Sequence, residues 1–127
     1  DMHWRHSAAD AFEALDDMAA QDVRFGVVIA DPPAFAKSRK DIEPAARAYR
    51  KLARAAAGVV EKNGILVLCS CSHHIDAERF HAECAAGIHL AKRPARLLRA
   101  SGADIDHPTH PHLPETAYLK ALVFALD

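Results

Sequence analysis

Apolar residues in this chain occur either in short continuous runs or at helical spacing. Phe25 to Ala30 and Ile65 to Cys69 are continuous runs rich in β-branched residues, which predicts strands covered on both faces by helices. Helical spacing predicts a first helix that begins at Ser7 or Asp10 and ends at about Ala20.

A second, longer helix is predicted between the two strands. It should begin at Asp41 or Glu43 and continue to Val60, with an apolar stripe along one side. Asn63-Gly64 supplies the residues that commonly adopt a left-handed conformation after a helix. We therefore expect the helix to stop there and the second strand to follow directly.

A third helix and a weaker strand follow the second strand. Ser72 is a candidate N-cap for a helix that extends to about Ala86, and Gly87 would close it. His89 to Leu98 favours a strand, although Pro94 places it at an edge or a bulge.

The last part of the chain is predicted as a loop and one strand. Ser101 to Glu115 is rich in proline, histidine and aspartate, and Tyr118 to Leu126 is the final apolar run. Alternation of helices and strands predicts one α/β domain over residues 1–127, with a mainly parallel sheet and flanking helices.

Composition restricts the classes of protein that need to be considered. The chain has 127 residues, half of them apolar, and a net charge of −1. No apolar run approaches the ~18 residues of a membrane span and the N-terminus lacks a signal peptide, so we expect a cytoplasmic protein with no membrane contact. Its three cysteines do not form the even set of a secreted disulfide scaffold.

Charge is segregated along the chain. Residues 1–22 carry six carboxylates and one arginine, whereas residues 37–54 carry seven cations and two carboxylates. Four of these cations share one face of the second helix: Arg47, Arg50, Lys51 and Arg54. Such a ridge suits a phosphate backbone, but an ordinary solvated helix face explains it as well, and the charge pattern alone favours that explanation.

The first strand ends in a stiff turn with an acidic side chain. Asp31 precedes Pro32 and Pro33, which favour extended backbone and remove two hydrogen-bond donors. The carboxylate and free carbonyl groups suit a planar substrate with an amino group, and Phe35 offers a stacking face. A rigid turn without a chemical role is the alternative.

The second strand ends in a thiol, Cys71, within Ser70-Cys71-Ser72. The positive end of the helix dipole favours the thiolate form of a cysteine that lies just before a helix N-terminus. Unpaired cysteines are, however, also common as small buried apolar residues. We expect Cys69 to be a core residue and Cys84, inside a helix, to serve packing. The carboxyl ends of neighbouring parallel strands form the usual ligand site of such sheets, which favours an enzyme.

Two other kinds of site have weaker support. His107, His110 and His112 lack the spacing of a metal site and are expected to be loop residues, so no metal is predicted. No Gly-x-Gly occurs, which leaves no dinucleotide or phosphate-binding loop.

Several separated motifs together resemble one family, the bacterial 23S rRNA 5-methylcytosine methyltransferases of the RlmI type. They are Asp10 to Leu15, Arg24 to Phe35, Arg47 to Arg50, Ser70 to Ser72, Asp106 to Pro108 and Tyr118 to Lys120. Their order and spacing agree with that family over nearly the whole chain.

The resemblance implies a class I methyltransferase with a Rossmann-like sheet and S-adenosylmethionine as cofactor. It implies that Asp10, Ala11 and Phe12 lie beside the adenine of the cofactor. Asp31 and Pro32 would border the cofactor and the target base, and Pro33 and Phe35 would border the base.

In catalysis, the resemblance makes Cys71 the nucleophile that adds to cytosine C6, with Asp31 holding N3 and the amino group. The partner would be RNA, expected to be rRNA, with Arg47 and Arg50 at its phosphates. A homodimer through an exposed strand edge is a further hypothesis.

The family's glycine-rich cofactor loop and PUA domain have no counterpart here. We therefore expect the C-terminal half of a catalytic domain, inactive in isolation. Two alternatives are an amino-directed methyltransferase that uses Asp31 to Phe35 without a cysteine, and a non-catalytic binding or dimerisation module.

Overall fold

The computed structural model describes residues 8–33, 35–36, 38–72, 74–102 and 120–127, with side chains from residue 12 onward. The described residues form three helices and four strands, with one 3-10 turn at Arg39–Asp41 before the second helix. In chain order the elements are α1 (Ala8–Ala20), β1 (Phe25–Ala30), α2 (Ile42–Ala57), β2 (Val60–Ser70), α3 (Ala77–Leu90), β3 (Ala95–Gly102) and β4 (Lys120–Leu126).

The strands form one mixed sheet in the order β1-β2-β4-β3. β1 and β2 are parallel, whereas β4 is antiparallel to both β2 and β3. The α/β fold with flanking helices is confirmed, and the described sheet is mixed: β1, β2 and β3 run in one direction and β4 runs against them. β4 is antiparallel to its neighbours because a parallel neighbour needs a crossover connection, usually a helix, whereas the sequence predicts only a loop between the last two strands.

The boundary between α2 and β2 also differs from the prediction. α2 ends at Ala57 and β2 begins at Val60, because the Phe25 amide donates to the Val59 carbonyl and draws this segment into the sheet. Asn63-Gly64 therefore lies inside β2 and does not cap a helix. Asn63 nevertheless has the positive φ that was expected, 65°.

The third helix begins later than predicted, because its N-cap is Asp76 and not Ser72. The Asp76 carboxylate accepts a hydrogen bond from the Arg79 amide at 2.7 Å, the usual contact of an N-cap side chain. The helix then continues through Gly87 to Leu90. Gly87 is buried inside it and does not close it.

The hydrophobic core lies between the helices and one face of the sheet. Strand side chains alternate between the core and the opposite face. Buried strand residues on the core side are Leu66, Leu68, Leu122, Phe124 and Leu126. They pack with the apolar stripes of α2 and α3, as the helical spacing predicted for α2.

The opposite face of the sheet carries no helix among the described residues, and we call it the helix-free face. It consists of Val27, Ile29, Ile65, Val67, Cys69, Ala121, Val123 and Ala125. Val27 and Ile29 of β1 are 60% and 67% exposed. The described helices are all too short or too polar to span a bilayer.

Candidate active site

Cys71 and Asp31 lie at the carboxyl ends of the two parallel strands. The register pairs Ala30 of β1 with Leu68 of β2. Asp31 is therefore level with Cys69, and Cys71 lies two residues further along the chain. Both Cys71 and Asp31 are exposed. The structure therefore brings the two sequence-predicted groups to one corner of the sheet, at the edge of the helix-free face.

The other two thiols have different surroundings. Cys69 is only partly buried and lies outside the core cluster, so the expectation that it is a core residue was wrong. Partial burial and, to a smaller extent, the nearby Asp31 carboxylate raise the pKa of Cys69. Cys84 is buried in the core as expected, and burial raises its pKa further. Neutral thiols are therefore favoured at both positions.

The turn after β1 is anchored by its aromatic residue. Pro33 is exposed and Pro32 is partly exposed, so both remain accessible beside Asp31. The Phe35 ring, however, packs on Tyr49 with the ring centroids 4.7 Å apart, and it stacks near Phe12 at 6.5 Å. Its main contacts are with the protein, whereas the sequence suggested a free stacking face.

A network of buried hydroxyl groups lies behind Cys71. Ser70 Oγ donates to the Tyr49 hydroxyl at 2.8 Å, and the same hydroxyl lies 2.7 Å from Ser72 Oγ. The Ser72 amide donates to Ser70 Oγ at 3.2 Å. Because Ser70 and Ser72 point into the core, Cys71 between them faces solvent. We call Tyr49, Ser70 and Ser72 the hydroxyl network.

Two further contacts connect this network to the rest of the site. The Ala36 amide, just beyond the proline turn, donates to Ser72 Oγ at 3.3 Å. Lys120, the first residue of β4, donates from Nζ to the Ser72 carbonyl at 2.9 Å. Sequence reasoning missed the network and the role of Lys120, although the strand period of two would have placed Ser70 and Ser72 on the core side.

The predicted basic ridge on α2 is partly occupied by contacts within the protein. Arg50 pairs with Glu83 of α3 at 3.5 Å. Lys51 places its ammonium 4.7 Å from the centre of the Phe12 ring. Arg47 and Arg54 are exposed. Arg47 is the ridge cation nearest the start of α2, the helix that follows β1 in the chain.

The residues expected at the cofactor are only partly described. Asp10 and Ala11 belong to α1, but their side chains lie outside the described part of the chain. Phe12 is partly buried between Phe35 and Lys51. Asp31 and Pro32 form an open rim at the strand ends. This arrangement fits one side of a cofactor site.

A cavity of about 440 Å³ lies between the start of α2 and the N-terminal part of α3, lined by Ile42, Asp76 and Arg79 among others. Arg79 is engaged by Glu43 and Glu83 at 2.9 and 2.8 Å, and Asp76 caps α3. The arginine of this cavity is therefore already paired with two carboxylates, which argues against a binding site for an anion.

No metal site is found in the described part of the chain, where no group of three or more histidine, cysteine or acidic side chains converges. His107, His110 and His112 lie outside the described residues. Their expected role as loop residues stays a prediction.

Comparison with known proteins gives consistent relatives. The chain is 36% identical over 119 residues to a ribosomal RNA large subunit methyltransferase of Deinococcus radiodurans, covering 94% of this chain and 29% of that protein. It is 31% identical over 123 residues to ribosomal RNA large subunit methyltransferase I of Shewanella frigidimarina, covering 97% of this chain and 31% of that protein. The chain thus spans about 30% of the length of these relatives. No family model matches it.

Solved structures show the same fold at lower identity. SMU.776, a protein assigned as a methyltransferase and solved with SAH, aligns with a TM-score of 0.68 and 19% identity, over 91% of this chain and 30% of that one. A protein from Streptococcus mutans assigned as a SAM-dependent methyltransferase aligns with a TM-score of 0.66 and 19% identity, over 91% of this chain and 29% of that one. These structures establish the fold.

Proposed function

We propose that this chain, which belongs to the family of ribosomal RNA large subunit methyltransferases, supplies the base-binding half of an S-adenosylmethionine-dependent catalytic domain. The chain spans about 30% of the length of these relatives. Its reaction would be methylation of a cytosine in rRNA at C5. The observation that carries this proposal is that the exposed Cys71 thiol at the end of β2 lies two residues beyond the position level with Asp31, at the end of the parallel strand β1.

The two side chains have complementary roles in this reaction. The Cys71 thiolate adds to C6 of the ring, and the electron pair of the C5–C6 double bond makes C5 nucleophilic. Asp31 holds the protonated N3 and the amino group, which stabilises the negative charge that the addition brings to the ring. After methylation, loss of the C5 proton and cleavage of the S–C6 bond restore the ring and the thiolate.

S-adenosylmethionine supplies, when bound, the electrophilic methyl group that C5 takes. Asp31 and Pro32 would form its rim in this segment, together with Asp10, Ala11 and Phe12 from the side of α1. The accessible strand ends support the first two residues. The other three follow from the motif resemblance.

RNA is the proposed partner, with the target base turned out of its stack to reach Cys71. Pro32, Pro33 and the edge of Phe35 would border the base. Arg47 is exposed near the start of α2 and suits a flanking phosphate. Arg50 would contribute to the same positive face, although Glu83 draws its charge toward α3.

The decisive test replaces Cys71 in the full gene product. We expect Cys71→Ala to abolish transfer of labelled methyl groups to rRNA, whereas Cys69→Ala, two residues earlier, retains it. RNA carrying 5-fluorocytosine should trap a covalent adduct at Cys71, because the C5 fluorine prevents the final elimination. Absence of this adduct together with full activity of Cys71→Ala would contradict the proposal.

Amino-directed methylation is the second candidate, favoured by the exposed carboxylate of Asp31 before two prolines. It needs Asp31 but no thiol. Retained activity in Cys71→Ala with loss in Asp31→Ala would support it. A non-catalytic binding module would show neither methyl transfer nor binding of the cofactor by calorimetry.

We also propose an association and a location. β1 is an edge strand of the described sheet, with exposed Val27 and Ile29, so isolated copies of this chain should pair through β1. Light scattering of the 127 residues tests this, and a monomeric mass would contradict it. An rRNA-modifying enzyme would act in the cytoplasm.

A further inference from the structure

We propose that Tyr49 is a positioning residue that couples the two loops on which catalysis depends. One is the Asp31 loop, residues 31–36, and the other is the Cys71 loop, residues 70–72. This inference rests on the proposed function, in which Asp31 and Cys71 act on the same base. Tyr49 itself would not contact the substrate.

The Tyr49 hydroxyl holds the Cys71 loop at both ends. It accepts from Ser70 Oγ at 2.8 Å and lies 2.7 Å from Ser72 Oγ, so one oxygen atom bridges the residues on either side of Cys71. The Ser72 amide closes the loop on Ser70 Oγ. When Tyr49 donates to Ser72, the hydroxyl groups of Ser70 and Tyr49 both have acceptors, and Ser72 Oγ accepts from Tyr49 and from the Ala36 amide. The loop is thereby fixed with Cys71 outward.

The same tyrosine also holds the Asp31 loop, through its ring and through Ser72. Its ring contacts Phe35 with the centroids 4.7 Å apart. Ser72 Oγ, the group bound by the Tyr49 hydroxyl, accepts the Ala36 amide at 3.3 Å. The ring contacts one loop and the hydroxyl contacts the other. A change at the hydroxyl would reach Ala36 through Ser72, which lies 36 residues away from Ala36 in sequence.

Tyr49 is itself rigidly held, as a positioning residue must be. It is 1% exposed in the middle of α2. The Phe80 ring of α3 packs edge-on against it at 5.2 Å. Lys120, 6% exposed, fixes the Ser72 carbonyl from β4 at 2.9 Å. α2, α3 and β4 thus all restrain the site from behind.

Rigid coupling matters because two groups on separate loops must meet one base. A displacement of about 1 Å between them lowers the rate by as much as ~100-fold without loss of binding. Removal of the Tyr49 hydroxyl should therefore act on kcat and leave the KM for RNA unchanged. A purely structural role would lower stability and leave the kcat of the folded fraction intact.

The test compares Tyr49→Phe with Cys84→Ala in the full gene product. Tyr49→Phe keeps the ring contacts and removes only the hydroxyl. Cys84→Ala loosens the core from α3 and removes no group of either loop. Hydrogen exchange measured on peptides that contain Ala36 and Ser72 should accelerate roughly 2- to 12-fold at both sites in Tyr49→Phe, the range of one hydrogen bond. Cys84→Ala should not show this paired effect.

The activity measurement then separates this inference from the proposed function. We expect kcat for RNA methylation to fall about tenfold or more in Tyr49→Phe, with KM unchanged. Acceleration at one loop only, or an equal effect of Cys84→Ala, would overturn the coupling. If Tyr49→Phe does not fold, Ser72→Ala removes the same junction. A wild-type protein without methylation would overturn the proposed function, while the exchange result would still decide the coupling.

Discussion

Gly87 of α3 packs directly on the backbone of Arg50 in α2. A Cβ atom at Gly87 would overlap the Arg50 carbonyl oxygen and would lie 2.8 Å from the Cβ of Ala53. The nearest obstacles are backbone atoms and a short side chain, which cannot rotate away. This contact sets the distance between the two helices that support the site.

Gly87→Ala should consequently destabilise the protein by about 1–3 kcal/mol or more, because overpacking forces the helices apart. Gly26→Ala is the matched control, since its Cβ would meet only the flexible Glu61 side chain at 3.3 Å. Urea denaturation measures both variants. Equal stability of the two would show that α2 and α3 adjust without cost.

Glu43→Gln should lower stability near neutral pH. The Arg79 hydrogen bond, assisted by its charge, holds the pKa of the Glu43 carboxyl below its ordinary value of 4.5. A lowered folded-state pKa means that the ion pair stabilises the fold above about pH 4.5 and that this contribution is lost as the pH falls through the lowered value.

The check is the urea midpoint of wild type and Glu43→Gln at pH 7 and in acid. We expect a small difference at pH 7 that disappears below the lowered pKa. Glu13→Gln, on the exposed side of α1, should show no such convergence. A difference that persists in acid would assign the effect to packing.

The three thiols should react with iodoacetamide in a fixed order. Cys71 is exposed and should be labelled first, Cys69 second, and the buried Cys84 last. Burial raises the pKa of Cys69 and Cys84, which lowers their thiolate fraction. Peptide mapping by mass spectrometry reads the order. Early labelling of Cys84 would mean that the core opens readily.

Leu66 and Ile29 test which face of the sheet contains the core. Leu66→Ala should cost roughly 2–5 kcal/mol because it leaves a cavity between sheet and helices. Ile29→Ala removes a similar volume from a side chain that is 67% exposed, and surface changes usually cost within about 0.5 kcal/mol. Similar losses in both variants would place a second core on the helix-free face.

The sequence was sufficient to predict β1, the approximate extent of α1 and the apolar stripe of α2. It failed at the end of α2 because Val59 and Val60 fit either a helix or a strand, and pairing of Phe25 with Val59 decides between them. It offered no prediction of the strand order, because β4 inserts between β2 and β3, a long-range choice that no local pattern records.

For the candidate site, the sequence located Asp31 and Cys71, since the ends of two adjacent apolar runs meet at one edge of a sheet. The roles of both remain predictions. Tyr49 could not be found in this way, because its position in the apolar stripe marks it only as a core residue. Its hydrogen-bond partners lie 21 and 23 residues away.

The alternation along β2 makes Cys71 sensitive to the number of residues before it. One inserted or deleted residue between Ile65 and Ser70 would invert the strand, turning the thiol into the core and the serine hydroxyls to solvent. Length variation should be harmless only at Glu61 to Gly64, where the register with β1 is already interrupted. The outward orientation of this thiol therefore depends on whether the number of strand residues changes by an odd or an even count. An even change between Ile65 and Ser70 would keep Cys71 on the same face but would shift it along the strand relative to Asp31.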